Sequence, residues 1–349
     1  MIIPKIMKAA ILVEQRKPLV IDVIELPASL EIGQVLVQIH YSGICGSQLG
    51  EIDGTKGPDV YLPHLLGHAG VGMILEVGKS VTKVKPNDIV ILTWIKGQGL
   101  SESGTIYKSK IGKINSGPIV TLCTQANISE DRVFKINSNI PLMVAAILGC
   151  AVATGAGMAI KFNENIQNGV ILINGLGGIG INTLLMAKNF NPKMLIASDI
   201  DHKKLLAAEK IGCDFLIDSS ESNLLDQIKI ITNDAGVDMA FESSGTIEGI
   251  NETFKSLNER GTLVFASHPK YGEYLKIDPF DLIKGKKIFG SWGGGVPFEM
   301  ILDEVLKYYL QKRLNLDILT TEIFSLSEIN YAIELMRSGE VLRPIISME

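Results

Sequence analysis

Through the first third of the chain, apolar and polar residues alternate in short runs. AAILVE (9–14), VLVQIH (35–40) and DIVILTW (88–94) are separated by stretches rich in Gly, Pro and Asn. A two-residue period bounded by turn-formers predicts a β-rich domain with irregular loops. From Gly169 the rhythm changes. Apolar runs of strand length (VILIN, MLIASD, FLID, VDMAFE, GTLVFA, KIFGSW) alternate with helical stretches such as INTLLMAKNF (181–190), HKKLLAAEKIG (202–212) and IEGINETFKSL (247–257). That alternation predicts βαβ units and a parallel sheet, a doubly wound α/β domain. After about Trp292 the pattern predicts a helix at 299–313, a short strand near 318–324, a capped helix within 325–340 and a terminal strand. One run, Ile140 to Ile160, carries no charge and is about as long as a bilayer span. It is single, internal and interrupted by Gly149, Gly155 and Gly157, so it reads as a buried helix followed by a turn.

The strand VILIN runs directly into Gly175-Leu-Gly177-Gly178-Ile179-Gly180, and a helical pattern starts just beyond. In that setting the first glycine makes the tight turn, the second lets the backbone approach a pyrophosphate, and the third lets helix and strand pack closely. The helix N-terminus then offers unpaired N–H groups to phosphate. Asp199 ends the next strand, nineteen residues after Gly180. A carboxylate there accepts hydrogen bonds from the ribose hydroxyls, which favours NAD(H) over NADP(H). Lys203 and Lys204, which reach the position of a 2′-phosphate, keep NADP as the alternative.

Composition narrows the partners. The 349 residues are 46% apolar and 20% charged with a net charge of -5, enough for a large core and too long for one ordinary domain. Basic residues are scattered, so neither nucleic acid nor a membrane surface is an expected partner. Four cysteines, Cys45, Cys123, Cys150 and Cys213, make a disulfide scaffold improbable and point to a reducing cytoplasm, where a special cysteine is a ligand or a nucleophile.

Cys45 in GICGS, His68 in LLGHAGVG, the VGKSVTKVKPND turn, Cys150 in LGCAVATG, GLGGIG, the ASDID strand end and the closing MRSGEVLRPI extend over nearly the whole chain. Together they make it similar to the zinc-dependent medium-chain alcohol dehydrogenases. The resemblance implies an α/β protein in which a GroES-like β-barrel catalytic domain (1–151 and 293–349) accompanies a Rossmann NAD-binding domain (152–292), with the active site in the cleft between them. It implies one catalytic zinc on Cys45, His68 and Cys150. Two thiolates and a neutral imidazole leave that metal uncharged, with a position open to polarise an alcohol or carbonyl oxygen. Gly43 and Gly46 would let the backbone bend around it.

By the same resemblance Ser47 passes on the alcohol proton, Arg343 contacts the cofactor pyrophosphate, and His268 and Lys204 lie beside the cofactor. Cys123, in strand-like IVTLCTQ, and Cys213 are read as small buried side chains, and His40 and His64 as structural. The stretch where relatives carry four structural-zinc cysteines reads WIKGQGLSESGTIYKSKIGKINSGP, so no structural zinc is expected. Relatives commonly have Asp at the position of Gln48 and Glu at that of Ala69. Gln48 is expected to accept a hydrogen bond from His68 through its amide oxygen, at a cost in metal affinity. A relay histidine found in some relatives is Gly50 here, which leaves the nicotinamide ribose or Glu51 as proton exits. The function implied is NAD(H)-linked interconversion of an alcohol, a polyol or sugar hydroxyl among the options, with a ketone or aldehyde, by a cytoplasmic homodimer or homotetramer. A zinc-free NAD(P)H reductase and a catalytically silent NAD(H)-binding homologue are the competing readings.

Overall fold

A computed structural model describes residues 5–136, 140–319 and 322–349. The chain starts with β1 (Ile6–Leu12), β2 (Val20–Glu25) and β3 (Gln34–Gly43), then the short helix α1 (Gly46–Ile52). The strands β4 (His64–Leu65), β5 (Ala69–Val77), β6 (Ile89–Thr93), β7 (Tyr107–Ser109), β8 (Gly112–Ile114), β9 (Gln125–Ser129) and β10 (Val133–Lys135) follow. One sheet runs β4-β1-β2-β7-β8. On β1 the alternation continues into the core, with Met7, Ala9 and Ile11 buried and Lys8 exposed. Expected strand structure at 119–125 is reduced to a single bridge between Ala9 and Cys123, so Cys123 is packed in the core beside a strand it does not join.

The uncharged run is one helical stretch: α2 (Leu142–Ile147), a wider π turn over Leu148–Val152, and α3 (Ala153–Lys161), followed by the single turn α4 (Asn163–Ile166). No turn breaks it, which corrects the sequence reading. Residues 142–161 are long and apolar enough to cross a membrane, but nearly all of that stretch is buried inside the protein. The glycines mark close approaches. A Cβ on Gly149 would sit 2.1 Å from the Leu92 carbonyl oxygen, and one on Gly155 2.3 Å from that of Ile179.

Next come β11 (Val170–Asn174), α5 (Gly178–Ala187), β12 (Met194–Asp199), α6 (His202–Ile211), β13 (Phe215–Asp218), α7 (Leu224–Thr232), β14 (Val237–Glu242), α8 (Ile247–Lys255), β15 (Leu257–Phe265), α9 (Pro279–Lys284) and β16 (Lys287–Gly290). The strands form a parallel sheet in the order β13-β12-β11-β14-β15-β16, the doubly wound arrangement of dinucleotide-binding folds. Its central strands are apolar at nearly every position because helices cover both faces.

The chain ends with α10 (Phe298–Leu310), β17 (Ile323–Ser325), α11 (Ile329–Arg337) and β18 (Ile345–Ser347). Within the strand expected near 318–324, residues 320–321 lie outside the described residues. The strands β17 and β18 extend the other antiparallel sheet, β10-β6-β5-β3-β18-β17, in which β9 also pairs with β3. Two compact units result, Met1–Cys150 with Leu316–Glu349, and Ala151–Asn315. The return to the first unit therefore comes at Leu316 and not at 293, because α10 belongs with α3. Ile301 of α10 and the Gly294 backbone leave room at Gly157 of α3 for a hydrogen atom only.

Candidate active site

In the first unit, three elements bring three soft or borderline metal donors together. Cys45 is the N-cap of α1, His68 immediately precedes β5, and Cys150 sits in the π turn. Their donor atoms all lie within 4.8 Å of one another. His68 Nε2 is 3.1 Å from Cys150 Sγ, and Cys150 Sγ is 3.5 Å from Cys45 Sγ. A tetrahedral ion with Zn–S of about 2.3 Å separates its sulfurs by a little under 4 Å, so the donor set fits zinc in type and spacing. The Cys150 S–H donates to Cys45, which holds the Cys45 thiol well below its usual range and pushes that of Cys150 well above it. Arg343, 6% exposed, adds a nearby positive charge that lowers both thiols.

The glycines flanking Cys45 do not act as expected. Neither Gly43 nor Gly46 has a positive φ. Gly43 is small because Arg343 lies against it, with Nε 3.2 Å from where a Cβ would be; a Cβ on Gly46 would meet nothing within 4 Å. Gln48 also departs from expectation. It is buried, and its amide oxygen accepts the Cys45 backbone N–H at 2.8 Å, capping α1; among the described residues it makes no hydrogen bond to His68. Its Nε2 is buried without a partner, as are Nε and Nη2 of Arg343. Ala69 is fully buried, and its carbonyl accepts the Ser42 and Thr121 hydroxyls. Ser47 is half-buried in the first turn of α1, with no hydrogen-bond partner among the described residues. Glu51, further along α1, is paired with Lys56 at 2.8 Å.

The other two cysteines lie outside this donor cluster. Burial pushes the Cys123 thiol far up, and pushes that of half-buried Cys213 up to about 12. His64 lies between Asp59 Oδ2 at 2.7 Å and the Leu65 carbonyl at 2.9 Å.

In the second unit, Gly175 has φ +84°, and a Cβ there would sit 2.6 Å from the Ser244 backbone nitrogen. A Cβ on Gly180 would fall 1.8 Å from the Gly175 carbonyl oxygen, so the turn and the close packing both require glycine. Gly177, the N-cap of α5, has nothing within 4 Å of a Cβ position. Open space there, in front of the free N–H groups of α5 at Gly178 and Ile179, is the cradle a pyrophosphate needs. Asp199 is nearly buried. It accepts the Leu176 N–H at 2.6 Å and the Asp201 N–H at 2.9 Å, with Lys204 Nζ 3.6 Å away. The carboxylate therefore ties the glycine loop to the end of β12, while Asp201 caps α6.

These groups open on a cavity of about 510 Å³ that includes Gly175, Gly177, Asp199, Ile200 and Lys204. It also includes Ser219, Ser244, Thr246 and Glu252, which the sequence reading missed. Their signal was available: the first three follow C-terminal strand ends, where doubly wound sheets bind ligands. Behind this wall, Glu242 is fully buried and accepts from the Ser244 N–H and the hydroxyls of Ser244 and Ser267; burial nonetheless raises its pKa. His268 is exposed, its Nδ1 beside the Pro269 carbonyl, and is not among the cavity residues.

Residues 31–138 match the alcohol dehydrogenase GroES-like domain, and residues 178–308 match the zinc-binding dehydrogenase domain. The chain is 27% identical to alcohol dehydrogenase class-3 of Cereibacter sphaeroides, covering 97% of this chain and 99% of that one. It is 26% identical to S-(hydroxymethyl)glutathione dehydrogenase of Paracoccus denitrificans, with the same coverage. Among solved structures it is similar to benzyl alcohol dehydrogenase from Acinetobacter calcoaceticus, at 26% identity and a TM-score of 0.87, covering 99% of this chain and 100% of that one.

Proposed function

The chain belongs to the zinc-dependent medium-chain dehydrogenases and is an alcohol dehydrogenase-like oxidoreductase, and from that premise we propose that it works with NAD(H) and one zinc ion on Cys45, His68 and Cys150. The observation that carries the metal assignment is the convergence of two thiols and an imidazole nitrogen within 4.8 Å. When bound, zinc supplies a Lewis acid for the alcohol or carbonyl oxygen, and NAD(H) takes or gives the hydride. Three protein donors are one fewer than a structural site uses, which leaves room for substrate.

The chain's own residues do the rest. Cys45 and Cys150 balance the metal's charge, and the Arg343 charge favours their thiolate forms. Ser47 Oγ, without a partner among the described residues, would accept the proton of the substrate hydroxyl in the oxidative direction while passing its own proton on. Of the two exits expected for that proton, Glu51 is engaged by Lys56, which favours the ribose and water route. For the dinucleotide, Gly175, Gly177, Gly178, Ile179 and Gly180 hold the pyrophosphate, and Asp199 with Lys204 holds the adenosine ribose. Asp199 penalises a 2′-phosphate, which supports NAD(H) over NADP(H). The unpaired Nε and Nη2 of Arg343 suit a phosphate oxygen. For His268 the support is its position after β15 alone.

Two thiols 3.5 Å apart keep a metal site only where thiols stay reduced, which supports a cytoplasmic location. Pairing of copies through β16, as a homodimer or a dimer of dimers, is supported by Phe289 and Trp292, which are exposed at that sheet edge.

The test is oxidation of primary and secondary alcohols with NAD+ and NADP+. Turnover that prefers NAD+ and falls at least a hundredfold in Ser47→Ala supports the reading; full turnover in Ser47→Ala removes the relay. An Asp199→Ala variant with unchanged NAD+ affinity removes the ribose assignment.

A further inference from the structure

Behind the wall of the cavity that holds the glycine turn, Glu242 carries a carboxyl group where a charge is expensive. It ends β14, between Asn174 of β11 and Phe265 of β15, and is 0% exposed. Its oxygens meet hydrogen-bond donors of the loops after β14 and β15, and no Lys, Arg or His is paired with it among the described residues. Oε1 accepts the Ser244 N–H at 2.7 Å and the Ser244 hydroxyl. Oε2 accepts the Ser267 hydroxyl at 2.7 Å. A carboxylate buried without a counter-ion costs desolvation that an apolar side chain of the same length avoids.

What the two oxygens hold gives that cost a purpose. The loop on Oε1 braces the glycine turn: the Ser243 hydroxyl donates to the Gly175 carbonyl at 2.7 Å, and the Ser243 N–H donates to the Asn174 carbonyl at 2.9 Å. Ser243 and Ser244 themselves line the cavity. The helix α8 packs onto the same group, since a Cβ on Gly249 would lie 3.2 Å from Glu242 Oε1. The loop on Oε2 is the segment after β15. Ser267 immediately precedes His268, and the Ala266 N–H donates to the Glu242 carbonyl at 3.3 Å, so backbone and side chain of one residue hold this segment together.

Loops at the carboxyl ends of parallel strands form the ligand crevice of a doubly wound sheet, and loops are the mobile part of a fold. A carboxyl group is planar and rigid, and its two acceptors face different donors, so it fixes those donors relative to each other. Loops ordered in advance lower the cost of binding. We propose that Glu242 is a positioning residue for the dinucleotide: it touches no cofactor atom, and it sets the loop 243–246 against the segment 266–268 before the cofactor arrives. The assignment rests on the NAD(H) reading and adds to it the residue that orders the site.

The experiment measures the Kd of NADH by fluorescence titration, and the Tm of the cofactor-free protein, in the wild type, Glu242→Met, Glu242→Gln, Ser267→Ala and the double variant Glu242→Met with Ser267→Ala. Glu242→Met should weaken NADH binding by about tenfold, the size of one charge-assisted hydrogen bond. Ser267→Ala should weaken it severalfold at an unchanged Tm, and the double variant should bind no more weakly than Glu242→Met alone, because Ser267 acts through Glu242. Glu242→Gln keeps an acceptor for Ser244 and turns an N–H toward the Ser267 oxygen, so it should return the Kd to within about twofold of the wild type. Wild-type affinity in Ser267→Ala, losses that multiply in the double variant, or a Gln variant as weak as Met each overturn the positioning role. If Glu242→Met does not fold, Ser267→Ala decides: weaker NADH binding at an unchanged Tm supports the role, and unchanged binding overturns it. A wild type that binds no NADH overturns the NAD(H) reading and this assignment with it, whereas a wild type that binds while the variants match it overturns the assignment alone.

Discussion

Gln48 shows how one side chain changes a metal site. Its oxygen holds the Cys45 N–H and its Nε2 is buried and unpaired, so it gives His68 no acceptor. Partners that orient a ligating histidine are worth about 10 to 100-fold in metal affinity. Gln48→Asp is therefore expected to tighten zinc binding by about that factor, read by competition with a chromophoric chelator. Equal affinities would show that His68 is oriented without a carboxylate. The glycine loop was legible in the sequence from its place between a strand and a helix, whereas the three donors, which the structure brings within 4.8 Å of one another, were named through the family resemblance. Gln48 was misread because its partner is decided by the capping geometry of α1. That geometry aims its oxygen at the Cys45 N–H, and no hydrogen bond joins it to His68 among the described residues.

At the scale of elements, a buried carboxylate ties the loop between β5 and β6 to the loop between β6 and β7. Glu130 accepts the backbone N–H groups of Thr82 and Lys83 at 2.7 and 2.9 Å through Oε1, and that of Leu100 at 2.8 Å through Oε2. Burial alone would raise its pKa, but these donors outweigh it and the net shift is downward. A depressed carboxylate contributes stability in full above its unfolded pKa of about 4.3, and that stability is lost as pH falls through the folded value. Urea unfolding of Glu130→Gln is expected to show lower stability near neutral pH and a shallower decline below about pH 4 than the wild type. Parallel acid limbs would remove Glu130 from the account.

The apolar run at 142–161 makes a related point. Its glycines read as a turn in the sequence, yet each is a contact. Gly149→Ala, with its Cβ 2.1 Å from the Leu92 carbonyl oxygen, should destabilise the first unit by about 1–3 kcal/mol. A neutral substitution there would mean that the helix can shift freely. Close backbone approach depends on partners distant in sequence, so periodicity alone does not register it.

Over the whole molecule, the fold class followed from hydrophobic rhythm, because a parallel sheet covered on both faces needs long apolar runs joined by helices; the strand order did not. The return to the first unit was less legible. The helix α10 has the amphipathic pattern of any surface helix, and only its packing on α3 assigns it to the second unit. The same sheet ends at β16, whose neighbourhood exposes Ile283, Phe289 and Trp292. If copies pair there, Trp292→Glu should lower the mass measured by light scattering toward that of one chain, whereas an unchanged assembly would place the contact elsewhere.

The central claim is that Cys45, His68 and Cys150 hold one catalytic zinc. It is tested most directly by metal content per chain on protein purified without added zinc or chelator, in the wild type and in Cys150→Ser. One zinc per chain in the wild type, lost together with alcohol-dependent turnover in Cys150→Ser, is the predicted result. A wild-type chain that carries no zinc and takes none up on titration would contradict it.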